Sequence, residues 1–151
     1  GDPLTRDPAA AVYIDGGHSR WLSADEMAAR LNQVGIEHAR GFSLNTSNFF
    51  TTDEEISYGE AISGLTNGAH YVIDTSRNGA GPAGDPSRQW CNPGGRALGV
   101  APTTETAGPH ADAYLWVKRP GDSDGACGGG APGPGNFMNQ YAIDLARNAG
   151  R

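Results

Sequence analysis

Ala11-Val12-Tyr13-Ile14-Asp15-Gly16-Gly17 is the stretch on which the fold turns. A short apolar run with two β-branched residues, broken by Asp-Gly-Gly, predicts a buried strand running into a glycine loop. Downstream, Ser23 is placed to cap a helix with Glu26 as its capping-box partner. Met27, Ala28, Leu31 and Val34 carry the helical period, and Gly35 stops it. The same alternation then repeats. A second strand is expected over 37–43, ahead of the polar loop Asn45-Thr46-Ser47-Asn48. Thr52 is read as the cap of a helix reaching Ile62, with Asp53, Glu54 and Glu55 at the positive end of its dipole. A third strand over 69–73 ends at Asp74, and a fourth covers 113–117, with Trp116 expected in the core. Residues 137–148 have helical spacing at Met138, Tyr141, Ile143, Leu145 and Ala146. Strands alternating with helices predict an α/β fold with parallel strands. Between the third and fourth strands, 78–109 reads as a long irregular segment, and such loops in compact domains commonly carry function.

The composition narrows the function. The 151 residues hold 11 Lys+Arg against 17 Asp+Glu, a net charge of −6. That balance argues against a nucleic-acid partner, which needs a cationic surface to displace phosphate counterions. The 23 glycines and 10 prolines fall just under the ~25–30% that marks low-complexity chains. With three Trp, five Tyr and four Phe, the chain reads as a loop-rich globular domain. No apolar run approaches the ~20 residues needed to cross a bilayer, so no membrane partner is expected. Residues 1–10 are a polar segment without the apolar centre of a signal peptide, and 11–151 form the domain. Cys91 and Cys127 fit neither a zinc knuckle nor a CxxC pair. They are either a bridge, worth roughly 3–4 kcal/mol in the chain-entropy model, or two unrelated buried thiols.

Ligand sites in parallel α/β folds form beyond the carboxyl ends of the strands. The loops expected there carry Asp15 with His18, Asn45 with Asn48, Asp74 with Arg77, and Lys118 with Asp122 and Asp124. Carboxylates, cations and loop tryptophans together suit sugars, whose hydroxyls need hydrogen-bond partners and whose C–H faces pack on indoles. Glycosidic hydrolysis uses two carboxyl groups, one as acid and one as base or nucleophile. Competing chemistries lack their motifs. There is no HExxH, and one Asp-x-x-His is weak support for a metal, so none is expected. Neither a GxSxG elbow nor a GK[ST] phosphate loop occurs.

Six segments in order, YIDGGHSRW (13–21), GFSLNTSNF (41–49), VIDTSRNG (72–79), QWCNPGGRALG (89–99), DAYLWVKRPGDSDGAC (112–127) and YAIDLARNAG (141–150), resemble glycoside hydrolase family 6. This is a family of secreted β-1,4-glucanases and cellobiohydrolases. The resemblance implies a distorted (β/α) barrel of parallel strands, an inverting reaction, cellulose or cello-oligosaccharide as substrate, no cofactor, and an extracellular setting. By resemblance Asp124 matches the aspartate proposed as the base, and Asp15 an aspartate near the cleavage point that supports catalysis. Lys118, and Asp122 where the family commonly has glutamate, match residues binding the sugar on the non-reducing side. Trp90 matches the tryptophan stacking on that sugar, while Trp21 and His18 match leaving-group-side residues. Arg77 matches the arginine paired with the base, Asn48 a polar site residue, and Cys91 with Cys127 the family's C-terminal disulfide.

The family's general acid lies upstream of the YIDGGHS-like motif, and neither Asp2 nor Asp7 sits in a comparable motif. The chain is therefore expected to be the C-terminal half of a barrel completed by an upstream N-terminal half. The short glycine-rich connection from Asp124 to Phe137 favours an open cleft and endo-cleavage. Two alternatives are a non-catalytic glucan-binding or scaffold domain, and a metal-dependent deacetylase using Asp15 and His18.

Overall fold

The computed structural model describes residues 6–151. The first five residues of the expected N-terminal segment lie outside them. The order is β1 (Tyr13–Asp15), α1 (Ala24–Gln33), β2 (Gly41–Leu44), α2 (Thr52–Leu65), β3 (His70–Asp74), β4 (Ala111–Leu115) and α3 (Asn139–Asn148). The four strands form one parallel sheet in the order β1-β2-β3-β4. Sequential parallel pairing puts every strand's carboxyl end on the same edge, which is where the loops named above emerge.

Local chemistry accounts for the helices. Ser23 caps α1 by accepting from the Glu26 N–H at 3.2 Å, and Thr51 caps α2 by accepting from the Glu54 N–H. The cap of α2 is thus Thr51, one residue before the expected Thr52. Along α2, Glu55, Tyr58, Gly59, Ile62 and Ser63 form the buried stripe. Met27 and Leu31 of α1 meet Tyr58 and Ile62 of α2 over Phe42, Leu44, Tyr71 and Ile73 of the sheet in one continuous core. Gly59 is the point of closest approach: a Cβ there would stand 2.7 Å from the Tyr71 ring.

Two expectations shift. The first half of the expected second strand is a 3₁₀ turn, Ile36–His38, because Gly35 at φ 85° reverses the chain and lets Ile36 enter the core. The fourth strand starts two residues early and ends at Leu115, so Trp116 lies beyond it, half-buried, donating its indole N–H to the Val100 carbonyl at 2.9 Å. The outer edge of β4 is partly covered, since Thr103 bridges antiparallel to Tyr114.

Segment 78–109 is irregular yet tied down. Gly79 and Gly99 donate to Ala97 and Thr75, and the Arg96 guanidinium holds the Gly81 carbonyl at 2.6 Å. At the amino ends of the strands, Tyr13, Arg40 and His70 all converge on Asp112, at 2.7–2.9 Å. That clamp fixes the strands at the edge opposite the ligand loops.

Candidate active site

Asp124 organises one half of the site. Its carboxylate receives a two-pronged contact from Arg77, Nη1 to Oδ2 at 2.8 Å and Nη2 to Oδ1 at 2.9 Å. Lys118 Nζ lies 3.2 Å from Oδ1, and the Asn92 N–H donates to Oδ2 at 2.9 Å. The side chains of Arg77 and Asp124 are 0% and 6% exposed. Burial alone would push the carboxyl up, but the Arg77 bonds, the Asn92 N–H and the charges of Arg77 and Lys118 hold it below the usual range. Asp124 is therefore an anion held in place.

Backbone supports this pair from three loops. Ser47, at φ 63°, turns its carbonyl onto Arg77 Nη2 at 2.6 Å and its N–H onto Asp74 Oδ2 at 3.0 Å. Asp74 is buried and also accepts from the N–H groups of Ser76 and Lys118. It joins the ends of β2, β3 and β4 and fixes the loop. The centre of the Phe49 ring lies 4.3 Å from the Arg77 guanidinium carbon, completing the enclosure of a cation whose Nε has no partner among the described residues.

The other half is a cleft of about 440 Å³ lined by His18, Trp21, Asn48 and Trp90 with Arg20, Phe50 and the turn 85–87. Trp21 and Trp90 are 61% and 55% exposed, so both indoles present free surface. His18 stacks on Phe50 with centroids 4.5 Å apart, and burial pushes its imidazole below the ordinary value. Its Nδ1 accepts from the Arg20 N–H at 3.2 Å, which leaves Nε2–H as the donor of the neutral ring.

The first turn of α2 grips this loop from beneath. Glu54 binds the Ser19 hydroxyl and Arg20, while the buried Glu55 accepts from the Ser19 N–H at 3.2 Å. Burial pushes Glu55 up to about 7.

Asp15 stands at the end of β1, exposed, accepting only from the Gly17 N–H. Asp122 is buried and paired with Arg119 at 2.7 Å. Cys91 and Cys127 form a disulfide with Cα atoms 6.3 Å apart, tying the Trp90 segment to the Asp124 loop. The structure thus joins Asp124, Arg77 and Lys118 in one network and His18, Trp21, Asn48 and Trp90 in one cleft. The other three histidines lie elsewhere: His38 is beside Glu37, His70 pairs with Asp112 and His110 with Glu60.

The model of the family described as glycosyl hydrolases family 6 matches residues 2–149. The chain belongs to glycosyl hydrolases family 6. Among family 6 relatives, endoglucanase A of Cellulomonas fimi is 54% identical over 140 residues, 93% of this chain and 30% of that protein. A probable 1,4-β-D-glucan cellobiohydrolase C of Aspergillus terreus is 32% identical, across 94% of this chain and 40% of its own length. Among solved structures, endoglucanase Cel6 from Mycobacterium tuberculosis, in complex with methyl-cellobiosyl-4-deoxy-4-thio-β-D-cellobioside, superposes with a TM-score of 0.95 at 77% identity. That match covers 98% of this chain and 50% of the Cel6 chain. The parallel sheet with its helices is accordingly part of the family 6 α/β barrel, about half of it by length.

Several residues of this family 6 site escaped the sequence reading. Ser47 acts through backbone groups and Asn92 through its backbone N–H and its amide, both in left-handed conformations that residue type alone does not announce. Phe49 and Phe50 were not singled out as site residues. Their place beside the Asn45–Asn48 turn was the available signal.

Proposed function

We propose that this chain supplies the base side of the site in an inverting, endo-acting β-1,4-glucanase of cellulose or related β-glucan, working outside the cell. One observation carries the reading: a buried, ionised Asp124, held by Arg77 and Lys118, is hydrogen-bonded through Asn92, and by way of Arg77 through Ser47, to the loops that bring Trp90 and Asn48 to a tryptophan-lined cleft. In this reading Trp90 and Trp21 pack on successive sugar faces, with His18 and Asn48 as polar partners for hydroxyls. Lys118 and Asp122 act on the non-reducing side.

Inversion needs a base that is ionised at the working pH and an acid about 6.5–9.5 Å away, with room for water between them. The cations around Asp124 favour the ionised form. A carboxylate offers about four acceptor positions; Arg77 and Asn92 fill three, and Lys118, which donates to the Ser123 carbonyl, stands as an ion-pair partner 3.2 Å from Oδ1. Lys118 is the one flexible side chain among these partners. Its turning to a sugar hydroxyl leaves the remaining Oδ1 position to the attacking water. Asp15, at the exposed end of β1, supports the cleavage point. The general acid is assigned to the N-terminal half of the domain, which the relatives' greater length accommodates.

The test is Asp124→Ala in the assembled catalytic domain. Turnover of cello-oligosaccharides should fall by at least about 10²-fold, the lower range for loss of a proton-transfer group, while binding of the same sugars persists. Undiminished turnover would sink the assignment, and a non-catalytic glucan-binding role would be left if no assembled form shows turnover at all.

A further inference from the structure

The loop that carries Trp90 and Cys91 continues into Asn92, a residue that neither composition nor resemblance singled out. Asn92 sits at φ 47°, a conformation asparagine tolerates better than most side chains. Its side-chain amide lies along the backbone of the Asp124 loop. Oδ1 accepts from the Asp124 N–H at 2.7 Å, and Nδ2 donates to the Gly125 carbonyl at 3.0 Å. Nδ2 also reaches Ser123 Oγ at 3.2 Å. In return, the Asn92 N–H donates to Asp124 Oδ2 at 2.9 Å.

The side chain therefore pairs with the main chain on both sides of Asp124, as a neighbouring strand would. The backbone N–H meanwhile holds the carboxylate itself. We propose that Asn92 is the positioning residue of Asp124, clamping its backbone so that the carboxylate faces Arg77 and Lys118, and setting Trp90 at a fixed distance from it. The disulfide one residue upstream, whose Cys127 sulfur lies 3.3 Å from Nδ2, ties the same two loops together but has no hydrogen to donate to the carboxylate. It limits separation, whereas the amide sets direction. That Asp124 acts in catalysis rests on the functional reading above, but control of its titration by Asn92 does not.

The experiment follows the Asp124 carboxyl carbon by NMR titration in the isotopically labelled chain. Asn92→Gly keeps the left-handed backbone and removes the amide. Its Asp124 midpoint should rise by about one pH unit as the donors lose alignment. Asn92→Asp keeps the shape but turns an oxygen toward the Gly125 carbonyl and adds a negative charge, so the midpoint should rise further. A residue that merely stabilised the loop would lower the unfolding midpoint and leave the titration where it was. Unmoved titration in both variants overturns the proposal.

Should neither variant fold, the wild-type Asp124 amide decides. Slow hydrogen exchange supports the clamp, and exchange at the rate of a free loop overturns it. In the assembled catalytic domain, the acid limb of the kcat profile should move with the NMR midpoint. A moved midpoint with an unmoved limb upholds Asn92's role and counts against Asp124 as the base.

Discussion

Two buried carboxylates in this chain meet opposite fates, and the difference lies in their donors. Asp124 has two cations and a peptide N–H and stays ionised. Glu55 has the Ser19 N–H on one oxygen and, among the described residues, no partner on the other, and burial pushes it from 4.5 up to about 7. A folded value raised above the unfolded one means that its stability contribution is complete below pH 4.5 and is lost as pH rises through about 7. Glu55→Gln keeps an oxygen for Ser19 and removes the titration. The variant should therefore gain on the wild type between these two pH values, approaching about 3 kcal/mol at neutrality. Urea unfolding at a series of pH values measures this directly. Parallel pH curves for the two proteins would show that Glu55 does not titrate in that window. Because Glu55 holds Ser19 between His18 and Trp21, the same titration reaches the cleft.

At the scale of elements, α2 connects core to site: its buried stripe packs on β3 while its first turn holds the His18–Trp21 loop. Gly59 permits that approach. Gly59→Ala adds a methyl group 2.7 Å from a Tyr71 ring whose hydroxyl is also fixed on Glu60 at 2.7 Å. Alanine favours a helix over glycine by about 1 kcal/mol, but overpacking costs about 1–3 kcal/mol. A net loss of up to about 2 kcal/mol in chemical denaturation is expected. An unchanged or raised midpoint would mean that the ring yields.

Elements whose cause is local were legible in the sequence. Ser23 and the acidic first turns marked helix starts, and Asp-Gly-Gly marked the end of β1. The 3₁₀ turn was not legible, because Ile36 and Glu37 suit a strand as well as a turn until Gly35 sets the direction. Trp116 was misplaced because an apolar run continues past the last ladder bond of β4. The Arg77–Asp124 pair spans 47 residues of sequence, beyond any local pattern, and only the family resemblance pointed to it. Ser47 contributes main-chain groups, whose identity the side-chain alphabet conceals, and Asn92 reaches Asp124 across 32 residues of sequence through both its N–H and its side-chain amide.

For the whole molecule, what matters is that one edge of a parallel sheet gathers the loops that carry Asp15, Asn48, Arg77 and Lys118. The connection after Asp124 folds back on itself instead of reaching over the cleft. Ser123 receives the Gly135 N–H on its carbonyl, gives its own N–H to Asn136, and binds the Pro132 carbonyl through its hydroxyl. The disulfide holds the facing segment close to the same loop. With both short sides pinned down, Trp21 and Trp90 keep more than half their surface free. On the proposed function, a glucan enters sideways, without threading from an end. The assembled catalytic domain should accordingly cut within chains. Viscosity of carboxymethyl-cellulose should drop steeply while few reducing ends appear, because each internal cut shortens a long polymer. Steady release of reducing sugar at nearly constant viscosity would instead require a covered tunnel, which the other half of the barrel would have to build over this open edge.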